Sequence, residues 1–276
     1  METPHRNLYS VAQIRELDRF VIEELGISGY ELMQRAGRFS YDTLKETWPE
    51  TNNIAVICGC GNNAGDGYVL AKLAIEDGKS VTVFYCFSPE MLKGDAKTAY
   101  QDLLIIEPHL VDITRESREK METMPYSPSS VWDELTSIEE GRSPYVYVDA
   151  IFGTGLTRDI DDIELISGIN ELKENVDMER RILSIDIPSG LNADTGKVMG
   201  VAVKADVTTT FIGKKRGMYT DDGCEYSGQI VSDTLGISYN TYRRMEPDCR
   251  MLEYSRNEFK KTYWDGAELA SKLVPP

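Results

Sequence analysis

Histidine is nearly absent from this 276-residue sequence: His5 and His109 are its whole complement, too few for a histidine-rich zinc site. The five cysteines stand at irregular spacing with no C-x-x-C pair, which suggests reduced thiols and a cytoplasmic setting. Basic residues are outnumbered, 30 Lys and Arg against 46 Asp and Glu, for a net charge of -16. Nonspecific binding to nucleic acid or to an anionic membrane is therefore disfavoured, and neither is expected as a partner. No apolar run approaches the roughly 18 residues of a membrane span, and the opening METPHRN shows neither a secretory nor an Arg-rich transit pattern. What remains is an ordinary globular composition, long enough for one large domain or two small ones around a sizeable core.

Apolar residues at Val11, Ile14, Leu17, Val21 and Leu25 recur at helical spacing behind Ser10 and before Gly26, which predicts an amphipathic helix. A second helix, capped near Ser28, carries Leu32, Met33, Ala36 and Phe39 on one face and ends near Trp48 and Pro49. These two helices precede the first strand and suit either a sheet face or a dimer partner, packing into the core being the favoured use. From Tyr68 to Pro108 the pattern predicts a helix to Glu76, a strand over Val81 to Tyr85 and a helix over Gly94 to Ile106. Residues 113–144 are charged and interrupted by PYSPSS, a surface excursion with a helical piece around Trp132 to Ile138. Order returns with a strand over Tyr145 to Val148, a helix over Ile163 to Leu172, a strand ending at Asp186, and late strands in ADVTTTFIG and GQIVSD. This alternation predicts an α/β, Rossmann-like, doubly wound and mostly parallel sheet with two extra N-terminal helices.

The segment VICGCGNNAGD, Val56 to Asp66, is a strand that stops at closely spaced glycines, the form of a turn that lets a phosphate approach backbone N–H groups at a helix start. Gly59, Gly61 and Ala64 satisfy a relaxed dinucleotide fingerprint, yet the next strand ends at Cys86 without the acid a dehydrogenase would use on the ribose. The turn offers Asn62, Asn63 and Asp66 instead, which either serve a ligand or hydrogen-bond their own backbone. Asp149 and Asp186 close two further strands, and all three turns open at the carboxyl edge of the sheet. Three carboxylates in one crevice are costly unless a cation or a catalytic proton compensates them. For a hard cation the oxygen donors are Asn63, Asp149 and the region of Ser189; the alternative is that the aspartates cap turns and helices.

Taken together, ELGISGYELMQRAG, GCGNNAGDGYVLA, KGDA, VDAIFGTGL and DIPSGLNADTGKVMGVAVKADVTTTF, with Lys215 and Gly217 after Phe211, resemble the YjeF N-terminal family of NAD(P)H-hydrate epimerases. The resemblance runs from about Tyr9 to Ile237 and implies an epimerase domain over 1–237, followed by a tail, 238–276, that looks like the approach to a dehydratase domain. Ala64 departs from the family's usual glycine, which would narrow a phosphate approach by a methyl, and Gln34 stands where glutamate is frequent. The implied substrates are NADHX and NADPHX, interconverted between R and S forms, with one potassium ion as cofactor, a homodimer as the assembly, and a fused or separate dehydratase as functional partner. The implied substrate cradle is Asn62, Asn63, Ala64, Gly65 and Asp66, then Gly153, Thr154, Gly155, Leu156, Thr157, Arg158 and Asp159, together with Asp186. Asn63, Asp149 and Ser189 look like the potassium ligands. Cleavage of a carbinolamine C–O bond calls for a proton donor and a nearby negative charge, roles assigned to Asp186 as acid/base and Asp66 as its helper. Lys215 either offsets negative charge, meets a phosphate, or is solvated beside Lys214. The alternative function is a noncatalytic scaffold or binding module, and the intact NNAGD, VDAIFGTG and DIPSG turns speak against it.

Overall fold

The computed structural model describes residues 6–107, 109–123, 145–174 and 179–251. The helical piece expected at Trp132 to Ile138 and the end of the tail lie outside the described residues. A short strand β1 (Asn7–Tyr9) leads into α1 (Val11–Glu23) and α2 (Gly29–Thr47). Ser10 closes a capping box with Gln13, and the Ser28 hydroxyl accepts from the Glu31 N–H, so both helix starts fall where the sequence signals place them. There follow β2 (Asn53–Cys58), α3 (Asn62–Glu76), β3 (Ser80–Tyr85), α4 (Gly94–Leu104), β4 (Val111–Asp112), α5 (Arg115–Thr123), β5 (Tyr145–Ala150) and α6 (Ile163–Glu174). The chain continues through β6 (Arg180–Ile185), β7 (Val207–Phe211), β8 (Lys214–Lys215), β9 (Gln229–Asp233) and β10 (Cys249–Arg250).

Seven strands form one sheet in the order β4-β3-β2-β5-β6-β7-β9, and each adjacent pair is parallel. Such a sheet is covered on both faces, so its central strands are apolar throughout. In β2, Ile54, Val56 and Cys58 point into a core shared with α1 to α4, while Ala55 and Ile57 point into a second core filled by Leu165, Ile166 and Ile169 of α6. The two N-terminal helices contribute Ile14, Leu17, Val21, Leu32, Met33 and Leu44 to the first core, the packing use of their apolar faces.

The sheet order reverses between β2 and β5, since strands run outward from β2 to β3 and β4 on one side and from β5 onward on the other. At such a switch point loops part and leave a crevice at the strands' carboxyl ends. The helix expected at Tyr68 begins six residues sooner, at Asn62. Gly65 and Gly67 have helical rather than left-handed backbone, and their role is close packing. A Cβ on Gly65 would stand 2.5 Å from Met33 Sδ, and one on Gly67 2.6 Å from Ala150 Cβ. The turn is thus only Gly59 to Gly61, and Asn62 to Asp66 are the first residues of α3.

A second, three-stranded sheet in the order β10-β1-β8 has no counterpart in the sequence reading. β1 pairs with β8 through Tyr9 and Lys215, and with β10 through Leu8 and Cys249. Tyr242, in the segment set apart by sequence as tail, is buried and donates its hydroxyl to the Ile212 carbonyl at 2.5 Å. The described residues after 237 therefore pack on the same unit as those before it.

Candidate active site

Asp186 ends β6 in an unusual backbone state. Its φ is 70°, and the Ile187 N–H donates to the Ile185 carbonyl at 2.8 Å across it, the hydrogen bond of a γ-turn. Non-glycine residues at positive φ cost roughly 1–3 kcal/mol and cluster at functional sites; Asp and Asn tolerate that region best. The turn aims the carboxylate into the crevice, where Oδ2 accepts from the Thr154 N–H at 3.2 Å and Oδ1 pairs with the Lys215 ammonium. Lys215 is 1% exposed and also donates to Thr210 Oγ1 at 2.7 Å and the Phe211 carbonyl at 3.3 Å. It is a buried partner of Asp186, not a solvated neighbour of Lys214.

Asp66 reaches the same place from the second turn of α3. Burial pushes its carboxyl well above the usual range, the neighbouring Asp186 adds to the effect, and Lys215 opposes it. A third acid completes the group: Asp18 of α1, whose carboxyl is pushed up to about 6 by burial, with Lys215 pulling it down and Asp186 pushing it up. The cluster is three carboxylates around one buried ammonium, and burial favours the protonated form of Asp66 and of Asp18. Asp18 was not picked out from sequence. Its one sign there is placement, four residues after Ile14 and adjacent to Leu17, on the inward stripe of an otherwise ordinary amphipathic helix.

Asp149, at the end of β5, is 1% exposed. Its Oδ1 accepts from Ser189 Oγ at 2.5 Å, and its Oδ2 accepts from Ser184 Oγ at 2.8 Å and the Ser189 N–H at 2.9 Å. Burial raises its pKa while these hydrogen bonds work against the shift. Among the described residues no lysine or arginine pairs with it. Asn63 is buried, and both of its side-chain amide atoms lack a hydrogen-bond partner, a costly arrangement for a native interior. A Cβ on Gly153 would lie 2.9 Å from Asp186 Oδ2 and 3.4 Å from Asn63 Cβ, so the missing side chain there leaves room between the amide and the acid.

The residues expected to cradle substrate divide into two sets. Asn63, Asp66, Gly153, Thr154 and Asp186 surround the acid cluster. Leu156, Arg158 and Asp159 line a cleft of about 750 Å³, together with Cys60 and Phe152 from the two switch-point turns. Gly65 faces Met33 and Ala96 instead, and Ala64 is fully buried in the first core, so its methyl fills the interior rather than a phosphate approach. Asn62, Gly155 and Thr157 are exposed and do not line the cleft.

A parallel, doubly wound sheet that gathers acids, a buried lysine and an uncapped helix start at its carboxyl edge defines a Rossmann-like α/β protein. Residues 29–217 match the family model described as YjeF-related protein N-terminus, and the chain belongs to that family. It is similar to an NAD(P)H-hydrate epimerase of Limosilactobacillus fermentum, 32% identical over 82% of this chain and 96% of the relative. A Legionella pneumophila protein of the same name is 32% identical over 96% of this chain and 90% of its own length. The bifunctional NAD(P)H-hydrate repair enzyme Nnr of Coxiella burnetii is 39% identical over 90% of this chain, which spans 45% of that longer protein. In fold, the yeast protein ynu0 superposes with a TM-score of 0.63 at 17% identity, covering 91% of this chain and 98% of its own.

Proposed function

We propose that this chain is an NAD(P)H-hydrate epimerase, interconverting the R and S forms of NADHX and NADPHX. The observation that carries the reading is the set of acids in unlike environments at the switch point: Asp66 buried toward its protonated form, and Asp186 held by the Lys215 ammonium and the Thr154 N–H. The substrate's stereocentre bears a hydroxyl and a ring nitrogen. In reversal of the roles expected from sequence, Asp66, which burial holds toward its protonated form, protonates the hydroxyl; the C–O bond breaks and water leaves, while the nitrogen lone pair forms an iminium. The Asp186 carboxylate stabilises that cation, as preorganised charge does in a partly dry site. Water adding to the opposite face, with its proton returned to the Asp66 carboxylate, gives the other epimer. The start of α3 has no side-chain cap, and its free N–H groups suit the pyrophosphate.

The donors around Asn63 fit the potassium ion implied by the family. The amide oxygen is buried and unpartnered, Asp149 supplies a buried negative charge with no basic partner among the described residues, and Ser189 contributes oxygen beside it. When bound, the ion would balance that charge and hold Asn63 toward the crevice. A homodimer, a dehydratase partner and a cytoplasmic location belong to the same proposal. No described helix is long and apolar enough to cross a membrane. The test is to mix the purified chain with a single NADHX epimer and follow the approach to the mixture by chromatography. A rate equal to the spontaneous one would leave the scaffold reading in its place.

A further inference from the structure

Strand β7 is polar where Ile54 to Cys58 of β2 are apolar. Thr208, Thr209 and Thr210 are each fully buried, and valine, of the same branched shape, would fill such places without a hydroxyl to satisfy. Buried hydroxyls call for partners, and each of these has one. Thr208 Oγ1 donates to the Ser227 carbonyl at 2.7 Å, which ties β7 to the turn before β9. Thr209 Oγ1 meets Ser40 Oγ of α2 at 2.8 Å. Of the three, Thr210 serves the acid cluster: its Oγ1 accepts from the Lys215 ammonium at 2.7 Å.

An ammonium has three protons, and three acceptors surround this one: Asp186 Oδ1, Thr210 Oγ1 and, at 3.3 Å, the Phe211 carbonyl. None is left to donate to Asp18, to Asp66 or to a ligand, so Lys215 donates no proton or hydrogen bond to the reacting groups and its contact with the site runs through Asp186. The same strand holds that acid's backbone, since the Asp186 N–H donates to the Thr209 carbonyl at 2.7 Å. One threonine of β7 thus pins the main chain of Asp186, and the next orients the lysine that pins Oδ1. The carboxylate is left with Oδ2 as its outward oxygen, which accepts from the Thr154 N–H at 3.2 Å and faces the space that the missing side chain of Gly153 leaves open. Lys215 itself comes from β8, a strand of two residues in the smaller sheet. Its long flexible stem needs a fixed contact from the main sheet to keep one geometry, and Thr210 is that contact.

Resting on the epimerase reading, we propose that Thr210 is a positioning residue: its hydroxyl fixes the Lys215 ammonium on Asp186 Oδ1 and thereby aims Oδ2 at the cation formed in the reaction. That cation exists only beyond the ground state, so a misaimed carboxylate lowers kcat and kcat/KM together and leaves KM unchanged. Thr210→Val keeps the shape and removes the acceptor, and its kcat in single-epimer turnover is expected to fall about 10- to 100-fold, the scale of a displaced catalytic group. Thr210→Ser keeps the hydroxyl and should keep the rate. Thr208→Val removes an equally buried hydroxyl outside the site and should leave kcat as it is. Crystal structures of Thr210→Val and Thr210→Ser read the geometry directly: the Lys215–Asp186 contact is expected to open in the first and to persist in the second. If the valine variant does not fold, Thr210→Ala, which sets no methyl against the ammonium, replaces it in both measurements. An unmoved ion pair in Thr210→Val, an unchanged kcat, a loss confined to KM, or an equal loss in Thr210→Ser or Thr208→Val overturns the proposal. A wild-type rate equal to the spontaneous one fails the epimerase reading instead, and the crystal structures still decide whether Thr210 orients Lys215.

Discussion

Asp18 carries a consequence for stability that can be worked through. Its pKa rises from 3.8 to about 6 in the fold, chiefly through burial, so the folded state holds this proton more tightly than the unfolded chain does. The associated stabilisation is fully present below the unfolded value and is lost as pH rises through the folded one. At pH 8 the native structure therefore bears an unwelcome charge. A shift of about two units corresponds to ~3 kcal/mol, and because Asp18 is only half-buried, solvent screening reduces this to ~1–2 kcal/mol. Asp18→Asn removes the charge and keeps the shape. The variant is expected to melt about 2–8 °C above the wild type at pH 8, and the advantage should vanish by pH 4. Thermal melts at the two pH values decide it. A variant that is less stable at pH 8, or one with the same offset at both pH values, would refute the electrostatic account.

Further outcomes follow from the same cluster. Asp186→Asn keeps the residue type that tolerates positive φ, so the fold should survive while loss of the charge that stabilises the cation lowers epimerisation about 100- to 1,000-fold, measured by single-epimer turnover beside circular dichroism. Lys215→Met strands a largely buried Asp186 carboxylate and should lower stability by about 3–5 kcal/mol, seen as a drop in the urea midpoint; an unchanged midpoint would mean the pair is not structural. Potassium chloride should raise the melting temperature above that in equal ionic strength of a large organic cation, and identical curves would remove the ion from the site. Turnover in oxygen-18 water, corrected for spontaneous epimerisation, should label the product hydroxyl; full retention of the original oxygen would exclude release of water to solvent.

Much of this molecule was readable because local signals agreed with the fold. Ser10 and Ser28 start helices as capping residues do, and the apolar runs of β2, β5 and β6 are those of strands covered on both faces. Asp149 and Asp186 were visible because an acid directly after such a run has nowhere to go but the carboxyl edge. Asp18 was hidden, since one acid in an amphipathic helix looks like any solvated acid until the partner that faces it is known. Lys215 was ambiguous for the same reason: its burial depends on β1, a strand too short to show periodicity. The start of α3 was misplaced because glycine serves both turns and tight helix packing, and sequence does not say which neighbour approaches.

The small sheet that holds Lys215 separates two kinds of boundary. The family model matches only as far as residue 217, but β9 completes the main sheet at 229–233, Tyr242 ties to Ile212, and β10 at 249–250 closes over β1. A chain cut where the recognisable motifs stop would keep every acid of the site and lose an edge strand of the main sheet and the clasp around the lysine's own strand. β10 is tied through β1 to the strand that carries the charge steadying Asp186. The unit that carries the sequence signature is smaller than the unit that folds, and the chemistry belongs to the larger one.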